Sequence, residues 1–102
     1  MISTHVLDTM NGRPAAGMKV RLYREGRLLA DTMTDADGRV KPLATDLAAG
    51  VYEIVFAVAE YFGLPGTPFL GEVVVRFGME EGHDYHVPLL VSPYGYTTYR
   101  GT

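Results

Sequence analysis

Apolar and polar side chains alternate in short segments along this chain, which is the pattern of half-buried β-strands. The clearest example runs from residue 18 to 25, where Met18, Val20 and Leu22 alternate with charged or aromatic neighbours. Turns containing glycine, such as Asn11-Gly12 and Glu25-Gly26, bound the segments. Further strands are predicted at residues 2 to 8, 27 to 34, 51 to 58, 71 to 78, 84 to 91 and 94 to 100. Seven to eight short strands at roughly regular spacing predict a β-sandwich.

One segment interrupts this rhythm. Residues 60 to 69 contain two prolines and two glycines, which exclude a long helix. We therefore expect at most one turn of helix, at residues 59 to 63, before a loop.

Composition narrows the class of protein. A length of 102 residues predicts one domain, residues 1–102. The net charge is -3 and no run of lysine or arginine occurs, so we expect no nucleic-acid partner. No apolar run reaches the roughly 18 residues that a membrane span needs, so we expect no membrane partner. The first residues lack the features of a secretory signal, and we expect a cytoplasmic protein.

Most recognisable catalytic and binding motifs are absent. There is no cysteine, no phosphate-binding glycine loop and no nucleophile elbow. The segment Asp35-Ala-Asp37-Gly38 resembles the start of a calcium loop, but the later ligands and the closing glutamate are missing. We interpret it as a turn, and we expect neither a metal ion nor a cofactor.

Histidines and arginines remain as candidates for chemistry. His5, Arg39, His86 and Arg100 lie near predicted strand ends. Taken singly, such a histidine is more often a hydrogen-bonded structural residue, and Arg39 after a turn is more often a solvated charge. The segment from 86 to 102 is unusual, because aromatic and charged residues continue to the last positions, where order usually fails. Something must hold this segment, either a sheet or another subunit.

Three stretches together resemble the 5-hydroxyisourate hydrolases, the transthyretin-like enzymes of purine catabolism. The first joins Thr4–Asp8 with Gly12–Ala15, the second is Thr34–Arg39, and the third is His86–Thr102. The third is the most specific, since Tyr99-Arg100-Gly101 matches the closing Tyr-Arg-Gly-Ser signature of the family. Transthyretin shares the fold but lacks that signature.

The resemblance implies a fold, an assembly and a reaction. The fold is an all-β, transthyretin-like sandwich of two four-stranded sheets with at most one short helix. The assembly is a homotetramer, a dimer of dimers with active sites where the dimers meet. The reaction is the hydrolysis of the small molecule 5-hydroxyisourate to 2-oxo-4-hydroxy-4-carboxy-5-ureidoimidazoline in urate degradation. The competing function is a carrier that binds a small molecule without changing it, as transthyretin does.

The resemblance also implies site residues. The catalytic set would be His5, Arg39 and His86. Substrate would be bound by these three together with Tyr99, Arg100, Gly101 and Thr102. Two of the chain's residues depart from the family pattern: Thr102 replaces the usual serine, and Asp84 replaces a histidine that many members carry.

These residues suggest a mechanism. Water attack at neutral pH needs a base, and histidine has a suitable unperturbed pKa. Two nearby guanidinium groups would lower the histidine pKa and keep the imidazole neutral. The same groups, Arg39 and Arg100, would hold the substrate carbonyls. Whether His86 or His5 is the base is left open, and His83 is expected to be a solvated loop residue.

Overall fold

The computed structural model describes all residues from 1 to 102 and consists of nine strands and one short helix. The strands are β1 (Ile2–Asp8), β2 (Arg13–Pro14), β3 (Lys19–Arg24), β4 (Arg27–Met33), β5 (Arg39–Ala44), β6 (Gly50–Phe56), β7 (Val73–Met79), β8 (Tyr85–Ser92) and β9 (Gly95–Thr98), and helix α1 is Val58–Phe62.

The strands form two sheets. The first has the order β2-β1-β8-β9, and β5 also pairs with β1, beside the part of that strand that β2 leaves free. The second has the order β4-β3-β6-β7. All pairs are antiparallel except β1 with β8, which run parallel and join the two ends of the chain. The predicted all-β sandwich is confirmed, with the two-residue β2 as a fifth strand of the first sheet.

The core lies between the inner faces of the two sheets. In β3, Val20 and Leu22 are completely buried while Lys19 is exposed, as the alternating pattern predicts. Eighteen buried apolar residues form one cluster, in which Tyr52 and Phe56 are the largest fully buried side chains. Because one face of each sheet is committed to this core, the functional groups must come from the outer faces, the strand ends and the loops.

Strand β5 was missed by the sequence analysis. It contains Pro42 in a six-residue segment, and proline cannot donate a hydrogen bond to a strand ladder. The structure accommodates the proline because β5 pairs with β1 alone and therefore lies at the edge of the sheet. The strand matters for function, since it begins at Arg39.

The predicted short helix is confirmed as the five-residue α1. It starts at Val58, so β6 ends at Phe56 and not at the predicted residue 58. Gly63 ends the helix in the left-handed conformation, with φ of 66°. With five residues, α1 is far too short to span a membrane.

Candidate active site

Polar side chains from three strands share the outer face of the first sheet. In β1, Ile2 and Val6 face the core, so the alternation of a strand places Ser3 and His5 on the opposite face. The strand register aligns Ser3 with His86 of β8 and His5 with Arg39 of β5. Residues 5, 39 and 86, which are far apart in sequence, are therefore held on adjacent strands.

A tight turn fixes the start of β5 and hence Arg39. The Asp35 carboxylate accepts hydrogen bonds from the backbone N–H of Asp37 at 2.9 Å and of Arg39 at 3.0 Å. The bond from the Arg39 N–H is the main reason that the pKa of Asp35 lies below its usual value. Gly38 has φ of +76°, and a Cβ there would lie 2.5 Å from the carbonyl oxygen of Val6. The segment is thus a turn, as predicted, and only glycine lets it sit this close to β1.

The C-terminal segment returns to the sheet after β9. It was predicted as a strand to residue 100, but β9 ends at Thr98 and a single bridge then joins Gly101 to His86. In that bridge the Gly101 N–H donates to the His86 carbonyl over 2.7 Å. The Arg100 guanidinium lies over the Tyr85 ring, 4.1 Å from its centre, which is the geometry of a cation–π contact. These two contacts hold the segment that sequence analysis singled out.

Gly101 also lies against the imidazole of His86. A Cβ at this position would be 2.6 Å from Cδ2 of His86, closer than side-chain carbons approach in proteins. The Gly101 backbone therefore forms a wall beside the ring. The glycine of the closing signature is explained by this close approach.

These elements enclose a cavity of about 600 Å³ at one end of the first sheet. The lining includes five of the predicted site residues, Arg39, His86, Arg100, Gly101 and Thr102, and six others, Met1, Ser3, Thr4, Lys41, Asp84 and Tyr85. The cavity is thus mainly polar, and its lining carries three permanently charged basic side chains against one side-chain carboxylate.

Two predicted site residues do not line this cavity. His5 lies beside Arg39 on the same face, and its charge acts on His86. Tyr99 is 57% exposed and borders a separate, mainly apolar groove of about 270 Å³ between the edges of the two sheets. Ser3 and Lys41 were not predicted. The period of two in β1 could have placed Ser3 on the same face as His5, two residues later. Lys41 could not be found in this way, because it lies in β5, which was not predicted as a strand.

The environment of His86 favours a neutral imidazole. Burial lowers the pKa of His86 below 6.5, and the charges of Arg39, His5 and Lys41 lower it further. Of the two guanidinium groups predicted to lower this pKa, Arg39 contributes and Arg100 is not among the causes. Burial is the larger cause, and Lys41 adds to it. The Ser3 hydroxyl lies 2.9 Å from Nδ1 of His86, which leaves Nε2 free of hydrogen bonds within the chain. A neutral imidazole with a free nitrogen at a polar cavity can accept a proton from water.

The two departures from the family pattern lie at the cavity rim. Thr102 lines the cavity, and Asp84 pairs with the N-terminal ammonium of Met1 at 3.1 Å. The Asp84 side chain is largely exposed. His83 lies outside the cavity in an exposed loop, as expected, 3.9 Å from Glu80. Thr102 and Asp84 therefore border the site, whereas His83 does not.

The fold and this site together define a transthyretin-like β-sandwich with a cationic, histidine-containing cavity at one end of a sheet. The chain belongs to the HIUase/Transthyretin family, whose family model matches residues 2–101. A 5-hydroxyisourate hydrolase of Halalkalibacterium halodurans is 50% identical over 115 residues, covering 99% of this chain and 97% of the relative. The resemblance noted in the sequence is thereby confirmed.

Solved structures give the same grouping. The 5-hydroxyisourate hydrolase of Klebsiella pneumoniae is 36% identical with a TM-score of 0.90, covering 99% of this chain and 98% of that one. Sea bream transthyretin in complex with thyroxine is 32% identical with a TM-score of 0.86, covering 98% of this chain and 93% of that one. The fold is therefore shared by an enzyme and a hormone-binding protein, and the site has to distinguish them.

Proposed function

We propose that this chain is a 5-hydroxyisourate hydrolase that opens the six-membered ring of its substrate by water attack on a ring amide. The observation that carries the proposal is the His86 imidazole, kept neutral by burial and neighbouring cations at the wall of a cavity that also contains Arg39 and Arg100. The relatives named as 5-hydroxyisourate hydrolases support the choice of substrate. The product is 2-oxo-4-hydroxy-4-carboxy-5-ureidoimidazoline.

His86 is the general base in this mechanism. Its free Nε2 removes a proton from the attacking water while the water oxygen bonds to the carbonyl carbon. A lowered pKa keeps the imidazole deprotonated at neutral pH, so the base is available before substrate binds. General base catalysis of this kind contributes about 10²- to 10⁴-fold in rate.

Arg39 and Arg100 receive the charge that develops on the carbonyl oxygen. Their positions are restrained in different ways, Arg39 by the turn at Asp35 and Arg100 by its contact with the Tyr85 ring. A fixed donor aimed at such an oxygen is worth about 3 to 4 kcal/mol. Lys41 adds positive charge to the same cavity. Arg39 and Lys41 also help to keep His86 neutral, because their charges lower its pKa.

The carbon–nitrogen bond of the ring then breaks as the intermediate collapses. The proton held on His86 is returned to the leaving nitrogen, so the imidazole is neutral again, and the new carboxylic acid releases its own proton to water. The role predicted for His5, to orient the substrate or assist this transfer, stays a prediction, because His5 lies beside Arg39 and outside the cavity lining. Gly101 and Thr102 close the cavity, whereas Tyr99 borders the separate groove and has no part in this mechanism. The cycle uses side chains alone, without a covalent intermediate.

We further propose that the enzyme is a homotetramer, a dimer of dimers whose sites lie where the dimers meet. Two observations support an assembly. The edge strands β7 and β9 present exposed apolar side chains, Val74 at 48% and Tyr96 at 47%, and unpaired sheet edges of this kind tend to be covered. The cavity lies on an outer sheet face, which a second copy could cover. Light scattering with size-exclusion chromatography measures the mass: a monomer at micromolar concentration would contradict the proposal.

One assay tests the activity. Urate oxidase generates 5-hydroxyisourate freshly from urate, and the ultraviolet signal of the compound is followed with and without this protein. Because the substrate decomposes spontaneously, the rate without protein is the reference. Faster decay supports the hydrolase, whereas an unchanged decay together with saturable binding would favour a carrier.

The single domain spanning residues 1–102 and the cytoplasmic location stay predictions.

A further inference from the structure

The imidazole of His86 is restrained on two sides. Ser3 of β1 contacts Nδ1 at 2.9 Å, and the backbone of Gly101 lies against the Cδ2 edge. The contact with Ser3 follows from topology, because the parallel pair β1–β8 aligns residue 3 with residue 86 and puts both side chains on one face, a strand spacing apart. Ser3 is 5% exposed, so its hydroxyl is held in place.

The direction of the hydrogen bond between Ser3 and His86 decides which nitrogen can act as a base. A neutral imidazole carries one N–H and one lone pair. If the serine hydroxyl donated to Nδ1, the lone pair would be used there and Nε2 would carry the hydrogen. If the serine oxygen accepts from Nδ1–H, the lone pair is on Nε2. Only the second arrangement leaves a base free to take a proton from water in the cavity.

We propose that Ser3 is a positioning residue that selects this second tautomer, its Oγ accepting a hydrogen bond from Nδ1–H of His86 so that Nε2 faces the attacking water. The inference rests on the proposed function. In this arrangement the Ser3 hydroxyl hydrogen is free to donate into the cavity, which Ser3 also lines. Ser3 does not itself exchange protons with the substrate.

A neutral acceptor suits the surroundings of His86. The charged or titratable groups around it come from five places. They are the Met1 ammonium with its partner Asp84, His5 on β1, Arg39 and Lys41 on β5, Tyr85 on β8, and Arg100 on the C-terminal segment. A carboxylate at the Nδ1 position would stabilise the imidazolium and raise the pKa of His86. A serine orients the ring without adding charge, so the lowering of the pKa by burial and by the cations is preserved.

Steady-state kinetics of Ser3 variants test the role. In Ser3→Ala we expect kcat to fall about tenfold, equivalent to about 1.4 kcal/mol, with KM changed less than about twofold. Ser3→Thr and Ser3→Val form a matched pair, because the threonine and valine side chains have nearly the same shape. Only the Ser3→Thr variant should retain most of the activity. Ser92→Ala is the control, because Ser92 lies on the same strand as His86 but outside the cavity. Far-UV circular dichroism and Tm establish that each variant is folded.

A tautomer measurement separates this role from simple packing. In ¹⁵N NMR of the wild-type protein, the neutral His86 ring should carry its hydrogen on Nδ1, and in Ser3→Ala the Nε2–H form should grow. Ser3→Asp should raise the pH of half-maximal kcat/KM. The proposal is overturned if wild-type His86 carries its hydrogen on Nε2, or if Ser3→Ala keeps both its tautomer and its kcat. A wild-type protein without hydrolase activity would instead refute the proposed function, since the NMR result does not depend on turnover.

Discussion

Replacing Gly101 by alanine tests the close contact on which the site depends. The new Cβ would lie 2.6 Å from Cδ2 and 3.3 Å from Cγ of His86. Carbon atoms normally approach to about 3.5 to 4.0 Å, so the ring or the C-terminal segment must move by about 1 Å. The ring cannot simply retreat, because Ser3 lies 2.9 Å away at Nδ1.

The expected cost falls on activity more than on stability. A 1 Å misplacement of a catalytic group costs about a hundredfold in rate, which corresponds to about 2.7 kcal/mol of transition-state stabilisation. If the C-terminal segment moves instead of the ring, the Gly101–His86 hydrogen bond of 2.7 Å is lost, and Arg100 and Thr102 shift with it. Either movement disturbs the cavity. The core is not involved, so Tm should fall only slightly.

The assay is the decay of freshly generated 5-hydroxyisourate, corrected for spontaneous loss. Gly95→Ala is the matched control, since a Cβ at Gly95 in β9 meets no atom within 4 Å and its φ is not in the positive range. We expect kcat near the wild-type value in Gly95→Ala and about a hundredfold lower in Gly101→Ala. A Gly101→Ala protein with turnover within threefold of wild type would refute the argument that this backbone positions His86.

Three further predictions follow from the same geometry. His86→Asn should leave the protein folded with at least a hundredfold lower turnover, and near-normal turnover would remove this residue from the mechanism. Because the pKa of His86 is lowered and its neutral form is the active one, kcat/KM should fall to half of its plateau value at a pH below 6.5. A half-maximal point above pH 6.5 would contradict this assignment. Gly38→Ala should destabilise the fold by about 1 to 3 kcal/mol more than Gly26→Ala. Both glycines have φ of +76°, but only a Cβ at residue 38 would meet the backbone of another strand. Equal midpoints of the two variants in chemical denaturation would show that this contact is unimportant.

Most strands could be predicted from the alternation of apolar and polar residues, because burial of one face of a sheet imposes that period. Strand β1 was predicted with its exact bounds, and the single helical turn near residue 60 was anticipated from the nearby prolines. Strand β5 was not, because Pro42 argues against a strand unless the strand is known to lie at an edge. Whether a strand is at an edge depends on which other strands pair with it.

The site was predicted in a similar, partial way. The resemblance supplied His5, Arg39 and His86, and the structure places Arg39 and His86 at one cavity with His5 adjoining Arg39. It did not supply Ser3, whose importance depends on the hydrogen bond to a residue 83 positions away. No local pattern reports a contact of that kind.

The amino-acid sequence by itself determined the period of the strands, the turns at glycine and the chemical types available for catalysis, because these depend on neighbours along the chain. Only the tertiary structure decided which side chains meet. The parallel pairing of β1 with β8 aligns Ser3 with His86, and the return of Gly101 closes the cavity beside the imidazole. The lowered pKa of His86 follows from burial and from cations on other strands, so it arises only when distant segments pack together.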